Sequence, residues 1–233
     1  MLRDGRAILF DLDDTLYPQR RFILSGFAAV SRHVALRHSV EPRAAFACLV
    51  RAYRGAERGH ELDRLIDAFE LSESVDALVA IMRTHRPSLR LDWATQDALR
   101  TLRRQWALGI VTNGLPDVQR AKVQALGLDA MVDTVVYAAE HGSGAGKPDR
   151  APFRDALRRL GARPSQSVFV GDNPETDIAG ASLCGLRTIY TRQWRSQTWP
   201  FTHLQPNSIV QHISEVPAVV NLLLTRKLVH HAA

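Results

Sequence analysis

Short, nearly unbroken apolar runs alternate along this chain with segments whose apolar residues recur every three or four positions. The runs fall at 7–10, 108–112, 134–137, 167–171 and 187–191, most of them bounded by Gly, Asp or Pro. A run that is apolar throughout suits a strand covered on both faces, the situation in a parallel sheet. Helical spacing fills the intervals. Segment 93–106 places Ala94, Leu99, Leu102 and Trp106 on one face, and helices are predicted over 118–126, 152–160 and 176–184. Pro116 and Pro152 stand where a first helical turn tolerates proline. Gly127, Gly161 and Gly185 follow the helix ends, where a left-handed cap is needed. The alternation predicts an α/β fold with a doubly wound parallel sheet and right-handed crossovers.

The first connection breaks the rhythm. Nearly a hundred residues separate the first two runs, and most of them read as helix, over 22–36, 42–54, 61–69 and 74–84. Ile23, Phe27, Val30 and Val34 share one face. Phe46, Leu49, Val50 and Tyr53 share another, and Leu62, Leu65, Ile66 and Phe69 a third. Four amphipathic helices with short joints, broken by glycine and charge at 55–60, make a small bundle. The predicted organisation is therefore an α/β core over 1–17 and 92–233, with an all-helical module over 18–91. No internal repeat and no low-complexity segment stands out.

Composition narrows the class. With 233 residues, 45% hydrophobic and 23% charged, the chain has ordinary globular usage and length enough for a sizeable core. No apolar run approaches the roughly eighteen residues that span a bilayer. The longest candidate, 216–224, is interrupted by Pro217 and Asn221. The first six residues lack the apolar stretch of a secretory signal. Two cysteines, Cys48 and Cys184, exclude a disulfide scaffold and are expected as buried thiols. These features point to a cytoplasmic protein without a membrane partner. The net charge of +6 is spread evenly: 18–92 holds 12 Arg against 9 acids, and the remainder 15 Arg and 3 Lys against 15 acids. Without a block of like charge or interleaved aromatics, this is a solvated arginine-rich surface, and no nucleic-acid partner is expected. Lysine, at three residues in the chain, is an unusual choice here.

Ligands of an open parallel sheet bind beyond the carboxyl ends of its strands. There the first run meets Asp11-Leu12-Asp13-Asp14-Thr15-Leu16, the second Thr112-Asn113-Gly114, and the fourth Gly171-Asp172-Asn173 with Asp177 close behind. The loop after the third carries Lys147-Pro148. Clustered carboxylates raise one another's pKa unless a cation sits among them. All-oxygen ligands suit Mg²⁺, which also takes substrate phosphate. A carboxylate can attack phosphorus, and such chemistry is mostly positioning and charge stabilisation. The stretch His141-Gly142-Ser143-Gly144-Ala145-Gly146-Lys147 imitates a phosphate-binding P-loop but has His141 where glycine is needed and Pro148 where Ser or Thr is needed. The histidines show no metal spacing, and His230-His231 reads as a frayed tail.

Asp11-x-Asp13-x-Thr15, Thr112, Lys147-Pro148 and Gly171-Asp172-x4-Asp177 together resemble the four-motif set of the haloacid dehalogenase superfamily, in order along nearly the whole chain. The helical module lies where that family places its first-type cap. The resemblance implies Asp11 as nucleophile and metal ligand. It implies Asp13 as the acid and base at the leaving oxygen and the water, its carbonyl also ligating metal. Thr112 would hold the phosphoryl group, helped by backbone amides near Asn113 and Gly114, and Lys147 would neutralise charge. Asp172 would bind Mg²⁺ directly. Asp177 would bind it directly or through water, or orient Lys147. No catalytic role falls to Asp14. Because dehalogenases of this family lack an acid at the Asp13 position and need no metal, the resemblance favours a Mg²⁺-dependent phosphatase. Its substrate would be a small phosphorylated metabolite, a nucleotide or sugar phosphate, hydrolysed through an aspartyl-phosphate. Alternatives are a phosphomutase or haloacid dehalogenase of the same fold, or a non-catalytic binding protein. A phosphonatase would need a cap lysine, and 18–91 has none. The cap would close over the site and choose the substrate. Tyr17, Pro18, Arg20 and Arg21 lie closest to motif one in sequence, and Arg20 and Arg21 are candidates for a second acidic group of the substrate. Trp194, Trp199 and Phe201 read as part of a packed C-terminal extension. Oligomeric state is not legible.

Overall fold

The computed structural model describes residues 5–141, 146–194 and 204–225. Its elements in chain order are β1 (Ala7–Phe10), α1 (Arg20–His38), α2 (Pro42–Arg54), α3 (Glu61–Phe69), α4 (Val75–Thr84), α5 (Trp93–Arg103), β2 (Ala107–Thr112) and α6 (Pro116–Leu126). They continue with β3 (Thr134–Tyr137), α7 (Arg150–Arg159), β4 (Ser167–Gly171), α8 (Ala179–Leu183), β5 (Arg187–Thr191), β6 (Ser208–Val210) and α9 (Val216–Thr225). The chain falls into two compact units, 19–89 and the remainder.

In the larger unit the six strands form one parallel sheet in the order β3-β2-β1-β4-β5-β6. The fold is the doubly wound α/β type. Strand order reverses beside β1, which lies between β2 and β4, so a crevice opens at the carboxyl ends there. Register sets what reaches it. Phe10 pairs with Val170 on one side and Ile110 on the other, so Asp11, Asp172 and Thr112 leave the sheet within a residue or two of one level. The central strands β1 and β4 are buried throughout, with helices covering both faces of the sheet. Leu9, Val111, Val136, Phe153 and Phe169 form one cluster, in which the rings of Phe153 and Phe169 meet edge to face with centroids 5.0 Å apart.

In the smaller unit α1, α2, α3 and α4 pack around Phe27, Val30, Val34, Leu49, Leu65 and Leu78. The outer members of the predicted stripes, Ile23, Phe46, Val50, Tyr53, Ile66 and Phe69, pack partly buried against this cluster. Caps set the boundaries: Glu41 accepts from the Ala44 amide at 2.6 Å and Ser74 from that of Ala77 at 3.2 Å.

Several expectations are corrected. The helix predicted over 93–106 stops at Arg103, because Gln105 and Trp106 both donate to the Leu102 carbonyl in a closing turn. The helix predicted over 176–184 is replaced by a wider turn over Pro174–Ile178 before α8, the Ile178 amide reaching back five residues to Asn173. β6 was not foreseen: it is a three-residue edge strand with Ile209 exposed, too short to show a period. The run at 216–224 forms α9, with Val216 and Val220 buried. Cys48 and Cys184 are free but only partly buried. Among the described residues no helix is long and apolar enough to cross a membrane. Trp194 is half-buried. Trp199, Phe201, the loop residues 142–145 and His230-His231 lie outside the described residues.

Phe153 is fully buried against Phe169. Phe153→Ala is expected to cost about 3–5 kcal/mol of unfolding free energy, measured by urea denaturation of the full chain.

Candidate active site

Asp11 follows β1, and its amide still donates to the Val170 carbonyl at 2.9 Å, so the backbone is held to the sheet where the side chain turns into the crevice. Asp172 follows β4. Asp177 comes back from the wide turn. The three carboxylates each offer an oxygen within 4.8 Å of the others, and all three are buried. Lys147 lies among them: its Nζ donates to Asp11 Oδ1 at 2.5 Å and to Asp177 Oδ1 at 2.7 Å. The Lys147 ammonium lies over the Phe169 ring, with Nζ 5.4 Å from its centroid. The second oxygen of Asp177 accepts from the backbone amides of Asp172 and Asn173 at 3.1 and 3.0 Å. Asn173 in turn caps the turn by accepting from the Glu175 and Thr176 amides. This approach requires glycine at 171, since a Cβ there would lie 2.4 Å from Asp177 Oδ2.

Lys147 is located from the other side by Asn113. The amide group of Asn113 donates to the Lys147 carbonyl at 3.0 Å and accepts from its N–H at 2.7 Å, acting like a strand neighbour. Gly146, at φ +78°, leaves the space: a Cβ would stand 2.6 Å from the Asn113 oxygen. The side chain of Asn113 is thus engaged with the backbone of Lys147. Gly114 beside it is exposed, and Thr112 is buried.

Asp13 points elsewhere. Its carboxylate is outside the three-carboxylate cluster and is gripped by Tyr17 Oη at 2.5 Å, Gln119 Nε2 at 2.9 Å and Lys122 Nζ at 2.9 and 2.7 Å. Gln119 also donates to Thr112 Oγ1 at 2.5 Å. Thr15, fully buried, donates to Asp172 at 3.4 Å. Asp14 takes the left-handed conformation at φ 57°, and its N–H bonds the Tyr17 carbonyl, so it serves the turn. Arg20 and Arg21 are exposed at the start of α1 in the helical unit.

The electrostatics follow from burial. Asp11 is pushed up to about 7, chiefly because burial disfavours its charged form, with Lys147 opposing and Asp177 adding to the rise. Burial would lower the Lys147 pKa, but Asp11 and Asp177 more than offset it and hold the ammonium charged. Burial, then the charge of Asp13, raises the Tyr17 phenol and keeps it a donor. Asp11, Asp172 and Asp177 bring carboxylate oxygens into one cluster that Lys147 enters, while Lys122 lies against Asp13. A hard divalent cation takes oxygen ligands of this kind, so the residues fit Mg²⁺.

Lys122 and Gln119 were not foreseen from the sequence. The sequence offered only the scarcity of lysine and the three-residue spacing of Gln119 and Lys122 just past Thr112-Asn113-Gly114; that Lys122 and Lys147 are both buried at this centre is visible only in the structure.

A carboxylate and lysine centre at the switch point of a parallel α/β sheet defines a class of hydrolase. A family profile described as haloacid dehalogenase-like hydrolase matches residues 6–185, and the chain belongs to that family. Over 88 residues the chain is 43% identical to a phosphoserine phosphatase of Thermus thermophilus, a match covering 38% of this chain and 34% of that protein, about a third of its length. It is 30% identical to a glyceraldehyde 3-phosphate phosphatase of Methanothermobacter thermautotrophicus over 79% of this chain and 84% of that protein. Among solved structures it is similar to a 2-haloacid dehalogenase from Pseudomonas syringae, with TM-score 0.64 and 28% identity, covering 93% of this chain and 98% of that one.

A carboxyl raised in the fold stabilises the protein most below its unfolded pKa and loses that contribution as pH rises through about 7. Mg²⁺ held by this carboxylate would compete with its proton and would restore the lost stability. The rise in melting temperature on adding MgCl₂ to metal-free protein is therefore expected to be larger at pH 8 than at pH 6, read by differential scanning calorimetry.

Proposed function

We propose that this protein is a Mg²⁺-dependent phosphatase that hydrolyses a small phosphate monoester, of the nucleotide or sugar phosphate class, through an aspartyl-phosphate on Asp11. One observation carries the reading: two carboxylates two residues apart are separated into different environments, Asp11 against Lys147 and Asp13 against Gln119, Lys122 and Tyr17. One suits a nucleophile and the other a proton carrier.

Asp11 Oδ forms a bond to phosphorus as the bond from phosphorus to the ester oxygen breaks, and Asp13, having taken up a proton as the substrate binds, gives it to that oxygen. Water then attacks the aspartyl-phosphate. Asp13 takes the water proton, the phosphorus to Asp11 bond breaks, and inorganic phosphate and the Asp11 carboxylate are regenerated. Thr112 binds the phosphoryl group, with the amides near Asn113 and Gly114. Lys147 balances charge on nucleophile and phosphate. The side chains of Asp11 and Asp172 and the Asp13 carbonyl would hold Mg²⁺, which shields the anionic phosphate from the anionic nucleophile. Asp177, with both oxygens engaged, acts by orienting Lys147 and the amides of Asp172 and Asn173. The helical unit 19–89 is the candidate cap, and Arg20 and Arg21 are its candidate substrate contacts.

The likeness to a dehalogenase favours a second reading, release of halide from a 2-haloacid. A departing halide needs no proton, so that reaction gives Asp13 and its three donors no task. Similarity to phosphatases, of which the chain covers most of one, supports the first reading.

The full chain is expected to hydrolyse p-nitrophenyl phosphate with Mg²⁺ and to lose activity in EDTA, and Asp11→Asn is expected to reduce it by about a thousand-fold or more. Full activity in the Asn variant, or halide release from 2-chloropropionate without any phosphate release, would overturn the proposal.

A further inference from the structure

Asp13 is held more elaborately than packing requires. Lys122 is buried, with its ammonium against both Asp13 oxygens at 2.9 and 2.7 Å. An apolar side chain at that position of α6 could fill the same space without desolvating a charge, and buried ion pairs are weak contributors to stability. Gln119, one turn earlier, is equally buried. A carboxylate only accepts, so the NH₂ of Gln119 faces it, and its other hydrogen goes to the Thr112 hydroxyl. One amide therefore spans the two side chains that the phosphatase reading places at the leaving oxygen and at the transferred phosphoryl group. Tyr17, fully buried, completes the grip from the β1 side.

We infer that Gln119 and Lys122 are positioning residues for phosphoryl transfer, fixing the Asp13 carboxylate against the Thr112 hydroxyl so that the leaving oxygen meets its proton donor while the phosphoryl group is held. The inference rests on the phosphatase reading and assigns two residues outside the four motifs. The pair forms a rigid unit because Gln119 and Lys122 share one face of α6, whose start follows directly from the Thr112-Asn113-Gly114 turn. Displacement of Thr112 on that turn is thereby transmitted to Asp13, and geometric precision of this kind is worth large factors in rate.

The test uses the full chain with Lys122→Met and Gln119→Leu, substitutions of similar length, and a series of aryl phosphates whose leaving groups run from p-nitrophenol to phenol. A good leaving group departs as the anion and a poor one needs the proton. In Lys122→Met, kcat/KM is expected to fall at least about tenfold more for phenyl phosphate than for p-nitrophenyl phosphate, with KM nearly unchanged. Gln119→Leu is expected to steepen the same dependence and also to raise KM, because it frees Thr112. A crystal structure of either variant is expected to show Asp13 swung away while Asp11 and Asp172 keep their places. An equal loss for every leaving group, no loss, or an unmoved Asp13 overturns the inference. Should Lys122→Met fail to fold, Gln119→Leu decides by the same readouts. If wild-type protein hydrolyses no member of the series, the phosphatase reading falls, while the position of Asp13 in the variant structures still tests the brace.

Discussion

Four carboxylates brought to one edge of a parallel sheet repel one another, and the rest of this site is arranged around that repulsion. Two are met by one ammonium: Lys147 joins Asp11 to Asp177. A third, Asp13, is met by Lys122 with Gln119 and Tyr17. Asp172 stays within the first cluster, receiving a hydrogen bond from Thr15. Burial makes each of these contacts matter, since charges removed from water must find partners or give up their charge. The rise in the Asp11 pKa reflects that burial first, with Asp177 adding to it and Lys147 opposing it.

The fold supplies this concentration of charge cheaply in sequence. The strand order places β1 between β2 and β4, and the parallel register delivers Asp11, Thr112 and Asp172 to one level without any loop having to reach across the sheet. What loops add is fine adjustment. The wide turn after β4 brings Asp177 back over Gly171, and Asn113 ties the backbone of Lys147 to the end of β2. These side chains are consequently held by backbone hydrogen bonds and buried neighbours, the preorganisation that the proposed phosphoryl transfer would demand.

Much of the larger unit was legible because its strands are buried on both faces and read as unbroken apolar runs. The bundle helices were legible for a different reason: α2 and α3 carry stripes at helical period with polar residues at their ends, and their boundaries match the sequence reading. β6 was not legible, since three residues at an exposed edge carry no period. The wide turn over Pro174–Ile178 looked helical because the same residues satisfy both spacings, and the hydrogen bonds from Ile178 to Asn173 and from Ala179 to Pro174 distinguish them.

By itself the chain determined which chemical groups were available and on which strand ends they would stand, because motif order and apolar period are one-dimensional properties. Only the tertiary structure decided which ammonium meets which carboxylate. Lys122 and Asp13 are 109 residues apart, and nothing local marks Lys122 as a buried charge rather than one more basic residue of a helix surface. The packing of α6 against the end of β1 makes that choice, through the physical requirement that an ammonium leaving water must find its counter-charge where the fold has put one.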